Sequence, residues 1–87
     1  MVNIIFDKVD QGKSLVLIAN KNQITWNLLF DFLEKKTNVS RYKTKLCINN
    51  KFYTCKEKIS FVHKNFFSDR DDFIVIYAHL NSHLNYQ

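Results

Sequence analysis

The spacing of apolar residues changes twice along this chain, and that change of period limits its folds more than any other feature. Val2, Ile4 and Phe6 alternate with Asn3, Ile5 and Asp7, a period of two that reads as a strand with one core face. The run Leu15 to Ala19 follows Asp10-Gln11-Gly12-Lys13, which holds the only glycine, so the two runs predict a hairpin. From Thr25 the period lengthens. Trp26, Leu29, Phe30 and Leu33 fall at i, i+3, i+4 and i+7, one face of a helix that Thr25 is placed to cap. Lys35 and Lys36 suit the negative end of its dipole, and the helix is expected to end near Thr37. The period then returns to two. Thr44 to Ile48 predicts a third strand, Asn49-Asn50 a tight turn, and Phe52 to Cys55 a short fourth strand. Lys56 to Asp72 reads as a polar loop with a short helical turn, anchored by Ile59, Val62, Phe66 and Phe67. Phe73 to Tyr77, a nearly continuous apolar run, reads as a central strand.

Eighty-seven residues suit one core and not two, so a single domain over residues 1–80 with a polar tail over 81–87 is expected. The apolar fraction of 46% and aromatic fraction of 15% suffice for a folded interior. No run approaches the ~18 apolar residues of a spanning helix, and Asp7 and Lys8 interrupt the N-terminus before a secretory core can form. A cytoplasmic or nuclear location without membrane insertion follows as the expectation. In that setting Cys47 and Cys55, eight residues apart and outside any CxxC pair, are expected to be reduced thiols.

The order ββαββ-turn-β, with a helix across the sheet and the last strand in its middle, resembles the ubiquitin-like β-grasp. That is an α+β fold with a mixed sheet of four to five strands and one main helix. Gly12-Lys13 is similar to the Gly-Lys of ubiquitin's first turn, and Trp26, Leu29 and Leu33 are similar to its helix anchors. Val39 precedes Leu46 by the same seven residues, Ile59-Ser60 resembles the step before ubiquitin's short helical turn, and Phe67, Phe73 and Val75 resemble its final core positions. The resemblance covers Val2 to about Tyr77; a ferredoxin-like domain or another small α+β sandwich is the competing architecture. The end Asn81-Ser82-His83-Leu84-Asn85-Tyr86-Gln87 departs from the C-terminal Gly-Gly through which ubiquitin-like modifiers are conjugated. The resemblance therefore implies a non-conjugated docking module, used in a larger assembly.

Little in the sequence points to chemistry. Neither cysteine has a histidine in a local catalytic signature, so packing or surface thiols are expected and the chain is read as no enzyme. Asp69, Asp71 and Asp72 lack the glycine and glutamate of a calcium loop, and a solvated turn explains them. His79 and His83 have an i, i+4 spacing without a third ligand in sequence. One glycine cannot build a phosphate-binding loop. No metal or cofactor is expected.

Charge and strand alternation say more. Residues 35–64 hold nine basic side chains against Glu57 alone, while the rest of the chain is net acidic by three. Eleven lysines to two arginines, ten asparagines and no proline also fit A/T-rich coding, so the charge is either a positive surface for a partner or a solvated face inflated by codon usage. With Phe73, Val75 and Tyr77 taken as inward, Ile74 and Ile76 face outward beside Cys47. These three, rimmed by Lys45, Lys51 and Lys58, form the expected docking patch for a partner protein with an acidic surface. Cys47 and Ile76 match positions of the apolar patch by which ubiquitin is recognised; alternatively the tail from Ala78 to Gln87 covers it. The rival reading is RNA binding within a ribonucleoprotein, with Arg41, Lys43 and Lys56 on phosphates and Tyr42, Phe52 or Tyr53 stacking on bases. A pathogen or phage factor that mimics or inhibits a host protein would use similar surfaces. Were Ile74 and Ile76 sealed beneath a second layer, the basic flank would become the stronger candidate.

Overall fold

The computed structural model describes residues 1–10 and 13–80. Five strands, β1 (Val2–Asp10), β2 (Lys13–Ala19), β3 (Thr44–Ile48), β4 (Lys51–Tyr53) and β5 (Phe73–Leu80), form one mixed sheet in the order β2-β1-β5-β3-β4. The main helix α1 (Trp26–Thr37) and the short α2 (Val62–Phe66) lie between the two hairpins and before β5. β5 runs parallel to β1 and antiparallel to β3, so the last strand is indeed central. The chain is thus α+β with a mixed five-stranded sheet and one main helix.

Local chemistry explains most of the boundaries. The Thr25 hydroxyl accepts a hydrogen bond from the Leu28 amide at 3.1 Å, satisfying one of the orphan donors of the first turn of α1. At the other end Asn38 takes the left-handed conformation, φ 60°, and its amide closes on Glu34 O. Asn49 and Asn50 both have positive φ, 52° and 67°, the backbone that a two-residue hairpin turn demands and that asparagine tolerates. The predicted Asp10–Lys13 turn falls partly on residues 11–12, and the tail on 81–87; both lie outside the described residues. β1 continues three residues past Asp7 because its register with β2 shifts between Phe6 and Asp10. That irregularity lets Phe6 and Val9, three apart, both be buried.

One core forms between the sheet and α1. Trp26, Leu29, Phe30 and Leu33 descend onto Val2, Ile4 and Phe6 of β1, Leu46 and Ile48 of β3, and Ile74, Ile76, Ala78 and Leu80 of β5. Bonds from Trp26 N to Ser60 O at 2.9 Å and from Val62 N to Ile24 O at 3.0 Å tie the start of α1 to the start of α2.

This arrangement corrects the facing expected for β5. Ile74 and Ile76, expected outside, are inside, whereas Phe73 and Tyr77 are exposed. The cause is cross-strand register: Ile74 stands beside Ile4 and Ile76 beside Phe6, and paired residues share a face of the sheet. The resemblance of Phe73 and Val75 to core positions is off by one residue for the same reason. Phe67 does pack against the core.

Candidate functional site

The face of the sheet away from α1 is built from the alternate residues of each strand. Register sets them in rows: Ile18, Asn3 and Phe73; Val16, Ile5 and Val75; then Asp7, Tyr77, Cys47 and Phe52; and last Lys45 and His79. Val16 is 50%, Ile18 60%, Phe52 61%, Phe73 58% and Tyr77 42% exposed. Five of the chain's large exposed apolar side chains therefore share one surface. From β2 to β4 and from Phe73 to Tyr77 that surface spans roughly 19 by 13 Å between strand axes.

Apart from Asn3, beside Phe73, the polar members of the face are placed near one end. Ser14 Oγ donates to Asp7 Oδ1 at 2.9 Å. The His79 ring meets the Phe52 ring edge-on, with centroids 5.3 Å apart, and Lys45 stands beside His79. No protein-family model, curated protein or solved structure matches the chain. What this face does must be read from its own chemistry.

Of the expected patch, the structure keeps Cys47 and Lys45 on this face and removes Ile74 and Ile76 into the core. Cys47 is a half-buried free thiol between Tyr77 and Phe52. Lys51 pairs with Ile48, which is buried on the helix side, so Lys51 belongs to the β4 edge and not to the open face. Lys58 is exposed in the β4–α2 connection. The residues that sequence reasoning missed are Phe73, Tyr77, Val16 and Ile18. Their signal lay in the length of β5: continued to Leu80, the strand sets polar His79 in phase with Phe73, Val75 and Tyr77.

The basic flank is partly consumed by the fold. Arg41 turns back onto α1, where its guanidinium donates to Glu34 Oε1 at 2.8 Å, to Asn27 Oδ1 at 3.3 Å and to Asp31. Its backbone N–H also donates to Glu34 Oε2 at 2.8 Å. Arg41 therefore fastens the turn before β3 to the helix and does not project to solvent as the RNA reading requires. Tyr53 is likewise unavailable for base stacking, since its ring packs edge-on against Trp26 and Phe66. Tyr42 is 75% exposed between exposed Lys43 and the Arg41 clamp, and Lys56 is exposed in its loop.

The Arg41 hydrogen bonds, side chain first and backbone second, hold the Glu34 carboxyl below the usual carboxylate range, while partial burial opposes them. The reciprocal pairing raises the Arg41 guanidinium. A carboxyl whose folded pKa is depressed contributes stability above its unfolded value of about 4.3 and loses it as pH falls through the folded value. Thermal melts should therefore show Glu34→Gln less stable than the native chain at neutral pH. The gap should close in acid below about pH 4. A gap that stays constant across that window would mean the clamp does not depend on the carboxylate charge.

Proposed function

We propose that this chain is a non-catalytic, ubiquitin-like β-grasp interaction module, and that it docks a partner protein through the open face of its sheet. The central last strand, flanked by β1 and β3 with one helix on the opposite side, supports the β-grasp reading. The observation that carries the docking reading is the clustering of Phe73, Tyr77, Phe52, Val16 and Ile18 on one solvent-facing surface. Aromatic side chains of this kind dominate binding energy when a partner desolvates them. Half-buried Cys47 and Val75 fill the floor between them.

Burial of Ile74 and Ile76 removes the expected patch, the outcome expected to favour the basic flank. The flank is weakened in turn by the capture of Arg41 and Tyr53, and the opposite parity of β5 supplies an apolar surface on which the docking reading now rests. Lys45 on the face, with exposed Lys43 just before β3 and exposed Lys51 on the β4 edge, favours a partner whose contact is apolar at the centre and acidic on the β3–β4 side. Charge would steer the encounter and apolar burial would hold it. The RNA reading retains one supporting observation, exposed Tyr42 among lysines, and loses Arg41 and Tyr53.

Capture from the native cell on immobilised native chain, compared with the double variant Phe73→Ser/Tyr77→Ser, tests the proposal. Each anchor lost from an interface centre costs about 2 kcal/mol, roughly 30-fold in affinity. Proteins retained by the native chain should be lost on the variant, which circular dichroism should find folded because both side chains are exposed. Equal retention on the folded variant overturns the reading. RNA binding that survives the variant and weakens steeply between two salt concentrations establishes the basic flank instead.

A further inference from the structure

The two edges of the sheet are treated differently. At one edge β4 is three residues long and carries Lys51, the short, charged kind of strand that resists pairing with another chain. At the other, β2 runs for seven residues, Lys13–Ala19, and from Ser14 to Asn20 holds no charge and no proline. Among the described residues β2 pairs only with β1, so alternate backbone N–H and C=O groups along it point away from the sheet. Leu15, Leu17 and Ala19 on the helix side pack only partly against the core, and Val16 and Ile18 are exposed on the open side.

We infer that two copies of this chain pair antiparallel through their β2 edges, joining their sheets into one. The apolar centre of the edge, Leu15-Val16-Leu17, can meet its own copy. With the two-fold axis at Val16, all seven residues find a partner: Val16 faces Val16 of the second copy, Leu15 faces Leu17, Ser14 faces Ile18 and Lys13 faces Ala19. Paired residues share a face, so the half-buried leucines meet leucines on the helix side and the valines meet on the open side. Charge points to the same occupant. Residues 1–34, which include β1 and β2, carry three lysines against four acids, whereas residues 35–64 carry the basic excess. The β2 half thus approaches its twin without the repulsion that the β3–β4 half would impose. The two Lys13 side chains lie at opposite ends of the ladder, about 20 Å apart, well beyond the ~8 Å screening length at physiological salt. A charged peptide strand would find no counter-charge along β2 except Lys13 at its end.

This pairing shares Val16 and Ile18 with the docking face but leaves Phe73, Tyr77 and Phe52 uncovered, and Phe73→Ser, which touches only the docking face, separates the two. Sedimentation equilibrium of the full chain should give a mass rising with concentration from 10.4 kDa towards twice that. Val16→Lys, which sets two lysines opposite each other on the axis, should weaken association at least about tenfold while circular dichroism finds it folded, and Phe73→Ser should dimerise as the native chain does. A native mass constant up to about millimolar, the affinity of a negligible interface, overturns the inference. So does undiminished association of Val16→Lys. Should Val16→Lys fail to fold, hydrogen exchange on the native chain decides: alternate β2 amides should gain protection with concentration. Protection confined to β4, or none at all, refutes the pairing.

Discussion

Ile76→Asp unfolds the domain, whereas Tyr77→Asp, one residue along the same strand, leaves it folded. Ile76 has 0% exposure and sits at the centre of the sheet, beside Phe6 and under α1. The substitution forfeits about 1.5–3 kcal/mol of apolar burial and forces a carboxyl into the interior at several kcal/mol more. An 87-residue domain has a total stability of only about 4–13 kcal/mol. The loss therefore consumes most or all of it. Tyr77 is 42% exposed, so an aspartate there keeps its water; it neighbours Asp7 across the ladder, and like charges side by side cost on the order of 1 kcal/mol or less. Circular dichroism and a thermal melt distinguish the two. A folded, cooperative Ile76→Asp would mean that β5 presents its other face to the helix, and the open face described above would be wrong with it.

Trp26→Ala should be the most damaging truncation of the helix. Trp26 is buried at the first turn of α1, where its ring meets Phe30 edge-on at 5.4 Å and also contacts Tyr53 and Phe66, both at 6.0 Å. Its indole Nε1–H donates to Thr54 O at 3.0 Å. One side chain thus pins together the helix, the end of β4 and α2, reinforcing the Tyr53–Phe66 ring contact and the backbone bonds between the starts of α1 and α2. Truncation to alanine costs about 3–5 kcal/mol in cores of this kind, which for a domain of this size lowers the melting temperature by well over 10 °C. Trp26→Phe keeps an aromatic ring but leaves the Thr54 carbonyl without its donor, and should cost about 1–3 kcal/mol. Chemical denaturation followed by circular dichroism would order the three proteins native, Trp26→Phe, Trp26→Ala. Equal stability of the two variants would assign the whole effect to the hydrogen bond; no loss in either would remove Trp26 from the core.

Most of the elements were legible because they rest on local causes. Thr25 caps the helix through its own hydroxyl, Trp26, Leu29, Phe30 and Leu33 make a face because 3.6 residues complete a turn, and Asn49-Asn50 turns the β3–β4 hairpin because asparagine tolerates positive φ. The alternation of β1 and β3 was equally plain, since polar Asn3, Asp7 and Lys45 mark the outer positions of those strands. β5 was different. Phe73 to Tyr77 is apolar at every position, so its own residues do not say which set turns inward, and ending the strand at Tyr77 left out His79, the polar residue that marks the outer set.

The parity of β5 was decided by its neighbours: Ile4 and Phe6 of β1 on one side and Leu46 of β3 on the other fix which alternate residues share their face. Arg41 shows the same division, since its charge is plain in the sequence while its capture by Glu34 and Asp31 exists only once the turn before β3 folds against α1. Residue order alone determined which strands and helix form and where α1 starts and the β3–β4 hairpin turns, because capping, turn conformation and hydrophobic period act over a few neighbouring residues, while pairing with distant strands set how far β1 and β5 extend. Only the assembled sheet decided which side chains meet water, because the facing of a uniformly apolar strand depends on register with strands distant in the chain.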